Sequence, residues 1–328
     1  MRAVWYERLG PAREVLRLGE QPDPEPGPGE VRVRLRASGV NPSDVKTREG
    51  LSRRPTSFPR VIPHSDGAGV IDAVGSGVPP TRLGERVWVH NAQWERPFGT
   101  AADAVALPSE LALPLPDGIG FAEGACLGIP VLTAHLCLFD GAPLAGRFVL
   151  VQGGAGVVGH YAVQLASWAG ARVIATASSP EKLAHARAGG AEHVIDYTRE
   201  PVADRVREIT GEKGVDRVVE VELGGNLPLL LQVLAPHAVV ASYASMAVRE
   251  PVLPVYPLMA RNATLRFVLV YTLSPDQKRR ALEDLGRWMA SGRARFAIAA
   301  RLPLERAVEA HELVEGGRKL GHVVLDID

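Results

Sequence analysis

Cysteine is nearly absent from this chain of 328 residues, with Cys126 and Cys137 the only two. Two thiols make neither a disulfide framework nor a four-cysteine zinc lobe, so both read as small core residues. Net charge is also missing: 37 Lys and Arg balance 37 Asp and Glu. No basic block of the kind that tracks a phosphodiester backbone occurs, and nucleic acid is not an expected partner. Nor is there a stretch approaching the roughly 20 apolar residues that cross a bilayer. The opening Met1-Arg2-Ala3-Val4-Trp5-Tyr6 lacks the apolar run of a signal peptide. These absences lead to the expectation of a cytoplasmic protein with no membrane partner. Internal repeats and low-complexity tracts are missing too.

The length suits two domains of roughly 150 residues each. The first third carries short β patterns broken by turns: Val31 to Leu35 alternates with period two, Gly69 to Val74 and Arg86 to Val89 follow, and Pro22 to Gly29 reads as a loop. Beyond Pro116-Asp117-Gly118 the character changes, because Phe121 to Leu138 is long, apolar and helical in period. Strands then alternate with helices: Phe148–Gln152, Val173–Thr176, His193–Asp196, Val215–Val221, Val239–Tyr243 and Leu265–Tyr271. Six such units predict an α/β fold with a doubly wound parallel sheet. The sixth strand is apolar yet would lie at a sheet edge, which predicts a homodimer. An amphipathic helix, a second helix at Leu304–Glu315 and a strand at Val323–Ile327 complete the chain. The expected division is 1–122 with 271–328 in a β-rich domain, and 123–270 in the parallel-sheet domain.

The first strand of that sheet runs straight into Gly153-Gly154-Ala155-Gly156-Val157-Val158-Gly159, a G-x-G-x-x-G pattern followed by an amphipathic helix. This is the pattern of a dinucleotide pyrophosphate cradle. Gly154 is expected to make the tight turn, Gly156 to admit a phosphate, and Gly159 to let helix pack on strand. In a NAD-preferring site a carboxylate ends the second strand. Here that strand ends Ala175-Thr176-Ala177-Ser178-Ser179, and Lys182 follows. Hydroxyl donors and a positive charge suit a 2′-phosphate, so NADPH is favoured over NADH. A second reading stands beside it: the serines cap the helix that begins at Pro180, and Lys182 is a solvated residue.

Several ordered motifs together resemble the medium-chain dehydrogenase/reductase superfamily, in its zinc-free quinone oxidoreductase branch. They are Ser38-Gly39-Val40-Asn41-Pro42-Ser43-Asp44, His64-Ser65-Asp66-Gly67-Ala68-Gly69-Val70, Gly128-Ile129-Pro130-Val131-Leu132-Thr133-Ala134 and Gln152 to Gly159. The resemblance covers almost the whole chain and implies a GroES-like catalytic domain, built from both chain ends, beside a Rossmann domain. Zinc-dependent members carry Cys and His where this chain has Asn41 and Ser65, so no metal is expected. By position, the resemblance places Gly153, Gly154, Ala155, Gly156, Val157 and Val158 on the pyrophosphate. It places Ser178 and Lys182 on the 2′-phosphate, Tyr197 near the adenine ribose and Thr133 near the nicotinamide. Tyr243, Ala244, Ser245, Phe267, Val268 and Leu269 line the nicotinamide, and Arg318 is a phosphate partner. Tyr197 read as a half-buried surface aromatic, and Thr133 read as a plain helix residue, are the alternatives.

Without zinc the chemistry narrows. Reduction of a simple ketone leaves an alkoxide about as basic as hydroxide, whose parent water has a pKa of about 15.7, and a Lewis acid is its usual stabiliser. A quinone leaves a phenolate-like oxygen with a pKa of about 10, and a conjugated enone leaves a delocalised enolate, for which hydrogen-bond donors suffice. The Asn41 amide is the candidate donor to the acceptor oxygen; the alternative is that Asn41 orders a turn before Pro42. Lys46 stands where family quinone reductases often carry Tyr, so the proton comes either from Lys46 or from water. An NADPH-dependent quinone oxidoreductase is the leading expectation. An enoyl or alkenal reductase is the alternative enzyme, and a cofactor-binding structural or sensing protein the alternative of another class.

Overall fold

The computed structural model describes residues 1–52 and 58–328. The chain divides into two compact units, Met1–Pro130 with Phe296–Asp328, and Val131–Arg295.

The first unit opens with strand β1 (Arg2–Trp5), helix α1 (Ala12–Val15) and β2 (Arg17–Glu20), the two strands forming a small antiparallel sheet. There follow β3 (Glu30–Val40), α2 (Pro42–Glu49), β4 (Asp66–Val74), β5 (Arg86–Val89), β6 (Ala104–Pro108), β7 (Ala112–Pro114) and α3 (Phe121–Gly124). Helix α4 (Gly128–Leu138) comes next, and its residues from Val131 onward count with the second unit. The long β3 is the spine of the first unit because both of its edges are used: β4 and β6 pair antiparallel with it. Val31, Val33 and Leu35 alternate into a core that includes Ile71, Val87 and Leu107. The apolar stretch Phe121 to Leu138 is two helices rather than the single helical run its period suggests. The break at Ala125–Leu127 leaves the start of α4 facing the side chain of Asp66, whose Oδ2 accepts the Ile129 N–H at 2.8 Å.

The second unit contains β8 (Phe148–Val151), α5 (Val157–Trp168), β9 (Arg172–Ala177), α6 (Pro180–Ala188), β10 (His193–Asp196), α7 (Val202–Thr210), β11 (Val215–Glu220), α8 (Leu223–Val233), β12 (Leu234–Ser242), α9 (Val255–Met259), β13 (Thr264–Phe267) and α10 (Pro275–Ala290). Its sheet runs β10-β9-β8-β11-β12-β13 with every pair parallel. This is the doubly wound order, reversing direction between β8 and β11. Buried apolar runs such as Val149, Leu150 and Val151 are what a strand covered on both faces requires.

Two boundaries differ from the sequence expectation. The sixth strand stops at Phe267, so Val268 and Leu269 lie beyond it, although the Val268 N–H still reaches the Ser242 carbonyl at 2.8 Å. Helix α10 belongs to the second unit, moving the later division from 270 to 295, while the earlier one moves from 122 to 130. The reason is packing. Ala281, Leu285 and Trp288 of α10 are fully buried, and Trp288 meets Tyr161 of α5 edge to face at 6.1 Å. Gln164 of α5 also bonds the backbone of Arg295 twice, at 2.9 and 3.0 Å.

The chain then returns to the first unit with β14 (Ile298–Pro303), α11 (Ala307–Glu315) and β15 (His322–Asp326). Strand β15 pairs antiparallel with β3, so the chain's last strand completes a seven-stranded sheet begun by its first third. Trp288→Ala should lower stability by about 3–5 kcal/mol through cavity formation, read as a shift of the urea unfolding midpoint.

Candidate active site

In the second unit, strand register sets the site. Val151 pairs with Ala175 and Val219, Ala177 with Asp196, Glu220 with Ser242, and Ser242 with Phe267. Level strands end together, so the residues that follow them gather along one edge of the sheet. These are the glycine loop after β8, Ser178 after β9, Tyr197 after β10, Tyr243 to Ser245 after β12, and Val268 and Leu269 after β13. Phe267 closes the last strand. The carboxyl ends of parallel strands at a switch point are where such sheets take ligands.

The glycine loop is shaped by close approach. Gly153 has φ +66°, so the turn out of β8 belongs to it and not to Gly154 as expected. A Cβ on Gly154 would lie 2.7 Å from the Ala175 Cβ, and one on Gly159 would lie 2.2 Å from the Gly153 carbonyl oxygen. Gly156 is the N-cap of α5. Ala155 and the helix-opening Val157 and Val158 complete a cradle of backbone at a helix N-terminus, the arrangement that suits a phosphate. Thr176 fastens it from β9: its hydroxyl accepts the Gly153 N–H at 3.1 Å and donates to Gln152 Oε1 at 2.7 Å.

The two serines make different contacts. Ser179 caps α6 by accepting the Lys182 N–H at 3.3 Å. Ser178 instead meets the Lys182 ammonium, Nζ to Oγ at 3.2 Å, which places one hydroxyl and one cation together beside the cradle. Tyr197 is more than half exposed, while its N–H bonds the Ala177 carbonyl. Thr133 is buried in α4.

In the first unit Asn41 is the N-cap residue of α2. Its backbone N–H donates to Asp44 Oδ2 at 2.8 Å, and its amide Nδ2 donates to Asp66 Oδ2 at 2.7 Å. The register of β3 on β4 makes this meeting possible, since Gly39 lies opposite Asp66. Asp66 is sealed in: a Cβ on Gly128 would fall 1.9 Å from its Oδ1. Lys46 is half-buried on α2. That helix is anchored by Arg48, a fully buried side chain paired with Glu315 of α11 and with the Gly10 carbonyl. Arg318 is exposed in the loop between α11 and β15.

Burial dominates the electrostatics of this half. It raises the Asp44 carboxyl to about 7 despite backbone N–H bonds from Asn41 and Ser65. Burial, then the nearby Asp44, hold Asp66 well above the usual carboxylate range. His64 sits at φ +78°, with Nδ1 at 2.8 Å from the Ser38 hydroxyl and Nε2 at 2.9 Å from Nε2 of His311. Two imidazoles sharing one hydrogen bond are neutral, and burial lowers the His64 pKa to about 3. The spacing Asn41-Pro42-Ser43-Asp44, an N-cap followed by Pro and an acid three residues on, signals the Asp44 contact in the sequence. Nothing local signals Asp66 or His311.

The donor set at Asn41, Ser65 and Asp66 is an amide, a hydroxyl and one carboxyl group. It does not fit zinc, because it supplies neither thiolate nor imidazole and the amide nitrogen is committed as a donor to Asp66.

Two families match the chain: the alcohol dehydrogenase GroES-like domain over residues 27–117 and the zinc-binding dehydrogenase over residues 157–288. The quinone oxidoreductase of Rattus norvegicus is 31% identical over 294 residues, 88% of this chain and 86% of that protein. A 2-haloacrylate reductase from a Burkholderia species is 31% identical over 300 residues, 88% of each. A mycobacterial protein solved with NADPH superposes with a TM-score of 0.87 at 29% identity, covering 99% of this chain and 100% of the other. An NAD-dependent alcohol dehydrogenase superposes with a TM-score of 0.89 at 32% identity over the full length of both.

Between its two carboxyl values Asp44 binds a proton when folded and not when unfolded, so its contribution to stability falls as pH rises from about 4 to about 7. In Asp44→Asn that part of the slope should vanish, measured as melting temperature against pH.

Proposed function

Because this chain belongs to the medium-chain dehydrogenase/reductase superfamily, we propose that it is an NADPH-dependent, zinc-independent oxidoreductase whose acceptor is a quinone. The single observation that carries this reading is Asn41, a buried amide fixed by Asp66 at the position where zinc-dependent members hold a thiolate. When bound, NADPH supplies a hydride. The residues fit it: the backbone of Gly153 to Val158 receives the pyrophosphate, Ser178 and Lys182 receive the 2′-phosphate, and β9 does not end in a carboxylate that would repel it. Tyr197 serves the adenine ribose. Thr133, Tyr243 to Ser245 and Phe267 to Leu269 serve the nicotinamide, and Arg318 a phosphate.

Asn41 donates its second amide hydrogen to the acceptor oxygen as negative charge grows there. Asp66 occupies the first and so aims the second. A quinone gains two electrons and one hydrogen with the hydride and needs one further proton to become a hydroquinone, which Lys46 or water supplies. An α,β-unsaturated carbonyl is the second reading, favoured by the similarity to a 2-haloacrylate reductase; it gains the hydride at carbon and a proton on the resulting enolate.

The test is NADPH oxidation with a naphthoquinone, a 2-alkenal and a saturated ketone. Quinone turnover supports the proposal, rapid ketone turnover refutes the zinc-independent part, and binding without turnover points to a non-enzymatic protein. Equal dissociation constants for NADPH and NADH would refute the cofactor preference. Asn41→Ala should lower turnover about 10²-fold, as loss of an oxyanion donor does, while changing NADPH affinity little. Unchanged turnover would reduce Asn41 to an N-cap residue.

We also propose a homodimer built on the edge of the second unit's sheet. Strand β13 is an edge strand that exposes Phe267 at 71%, and the segment preceding it in the chain exposes Val252 at 91% and Tyr256 at 82%. Apolar exposure on this scale beside an unpaired strand suits self-complementary pairing. A monomeric mass in solution at micromolar concentration would overturn it; Tyr256→Glu should convert a dimer to monomer.

A further inference from the structure

The loop after β12 is held in shape by a side chain 24–26 residues earlier in the chain. Glu222, the residue before α8, accepts three consecutive backbone N–H groups: Met246 at 2.6 Å and Ala247 at 3.0 Å on Oε2, and Val248 at 3.2 Å on Oε1. Successive N–H groups converging on one anion form a nest, here filled by the chain's own carboxylate. The return contacts run the other way. The Gly224 N–H, an unpaired donor of the first turn of α8, bonds the Ser245 hydroxyl at 2.9 Å, and the Leu223 N–H bonds the Ala244 carbonyl at 3.2 Å. Ser245 in turn donates to the Val248 carbonyl at 2.5 Å. A Cβ on Gly224 would lie 2.2 Å from that same carbonyl oxygen. Loop and helix start thus cap each other, and Gly224, lacking a Cβ, permits the close approach. Partial burial opposes ionisation of Glu222, yet the backbone N–H bonds outweigh it and hold the carboxyl below its ordinary value, so the clamp is an anion at neutral pH.

We propose that Glu222 is a positioning residue for cofactor binding: its carboxylate fixes the backbone of residues 244–248, and through it the Tyr243–Ser245 segment that serves the nicotinamide. This rests on the NADPH reading above. Glu222 touches neither the cofactor nor the acceptor; it acts through Ser245 and the loop amides. Its contribution is preorganisation, since a loop already ordered has less conformational freedom to lose on binding.

The experiment compares Glu222→Ala and Glu222→Gln with the wild type. It measures KM for NADPH, kcat, and amide hydrogen exchange of residues 244–248 in the protein alone, with circular dichroism to check that each variant folds. Glu222→Ala should raise KM for NADPH by roughly tenfold, the loss of charge-assisted bonds to several N–H groups, with kcat within about twofold. Glu222→Gln keeps an acceptor oxygen without the charge and should fall between. The 246–248 amides should exchange faster in both variants. Unchanged exchange in folded Glu222→Ala would overturn the clamp, and faster exchange with unchanged KM would overturn its role in binding. If the wild type does not bind NADPH, the function reading fails, while exchange, which needs no ligand, still decides the clamp.

Discussion

Asp66 carries a carboxyl group with no access to water, and much of the first unit is arranged around it. It opens β4, faces Gly39 across the sheet, takes the amide of Asn41 and receives the backbone of Ile129 where α4 begins. Three segments distant in sequence, near residues 40, 66 and 129, therefore meet at one carboxyl group. A buried carboxyl is costly unless it is bonded or neutral. Here it is bonded, since two donors share Oδ2, and burial together with Asp44 pushes it toward the protonated form. Gly39 and Gly128 are the clearances for this insertion: a Cβ on Gly39 would lie 2.2 Å from the Ala125 carbonyl oxygen. The amide of Asn41 is thus not free to choose its orientation.

The second unit is governed by a different constraint, the common level of its parallel strands. Each residue just past a strand inherits its position from register, and short side-chain bonds then fix the loops. Thr176 ties the glycine loop, Lys182 meets Ser178, and Glu222 gathers the loop after β12. Thr176 is a buried strand residue, whereas Ser178, Lys182 and Glu222 lie outside the strands. That division lets closely similar sheets serve different nicotinamide enzymes.

What could be read in the sequence follows the same physics. The inner parallel strands were legible because strands buried on both faces are continuous apolar runs between helical periods, while the edge strand β13 was found but with its end set too late. Strands β1, β2, β6, β7 and β14 were not: they span three to six residues. Strand β2 is largely exposed, so no alternation marks it, and β6, β7 and β14 each end at a proline. Helix α10 shows its amphipathic face, but the identity of the surface that covers it is tertiary information. The same holds inside the site. The glycine loop announces itself by spacing, although the turn belongs to Gly153. Asp44 lies three residues from Asn41 and is visible as a capping pattern, whereas Asp66 reaches Asn41 only through the register of β3 on β4. Glu222 and its loop have no local signature at all.

The two units also handle charge in opposite ways, and this bears on the chemistry. Around Asn41 the titratable groups are buried toward neutrality: Asp44 and Asp66 are pushed up, His64 and His311 down. Because burial disfavours a full negative charge on Asp66, the donor role proposed for the Asn41 amide meets less competition from an anion beside it. Along the sheet edge of the second unit, in contrast, the Lys182 side chain meets Ser178, and backbone N–H bonds hold the Glu222 carboxyl below its ordinary value. A neutral donor stabilises charge less than a metal ion does. That limit is severe for an alkoxide, whose parent water has a pKa of about 15.7, and mild for a phenolate-like oxygen at about 10. The selectivity proposed for an acceptor thus originates in the burial of Asp66 as much as in the replacement of a thiolate by an amide.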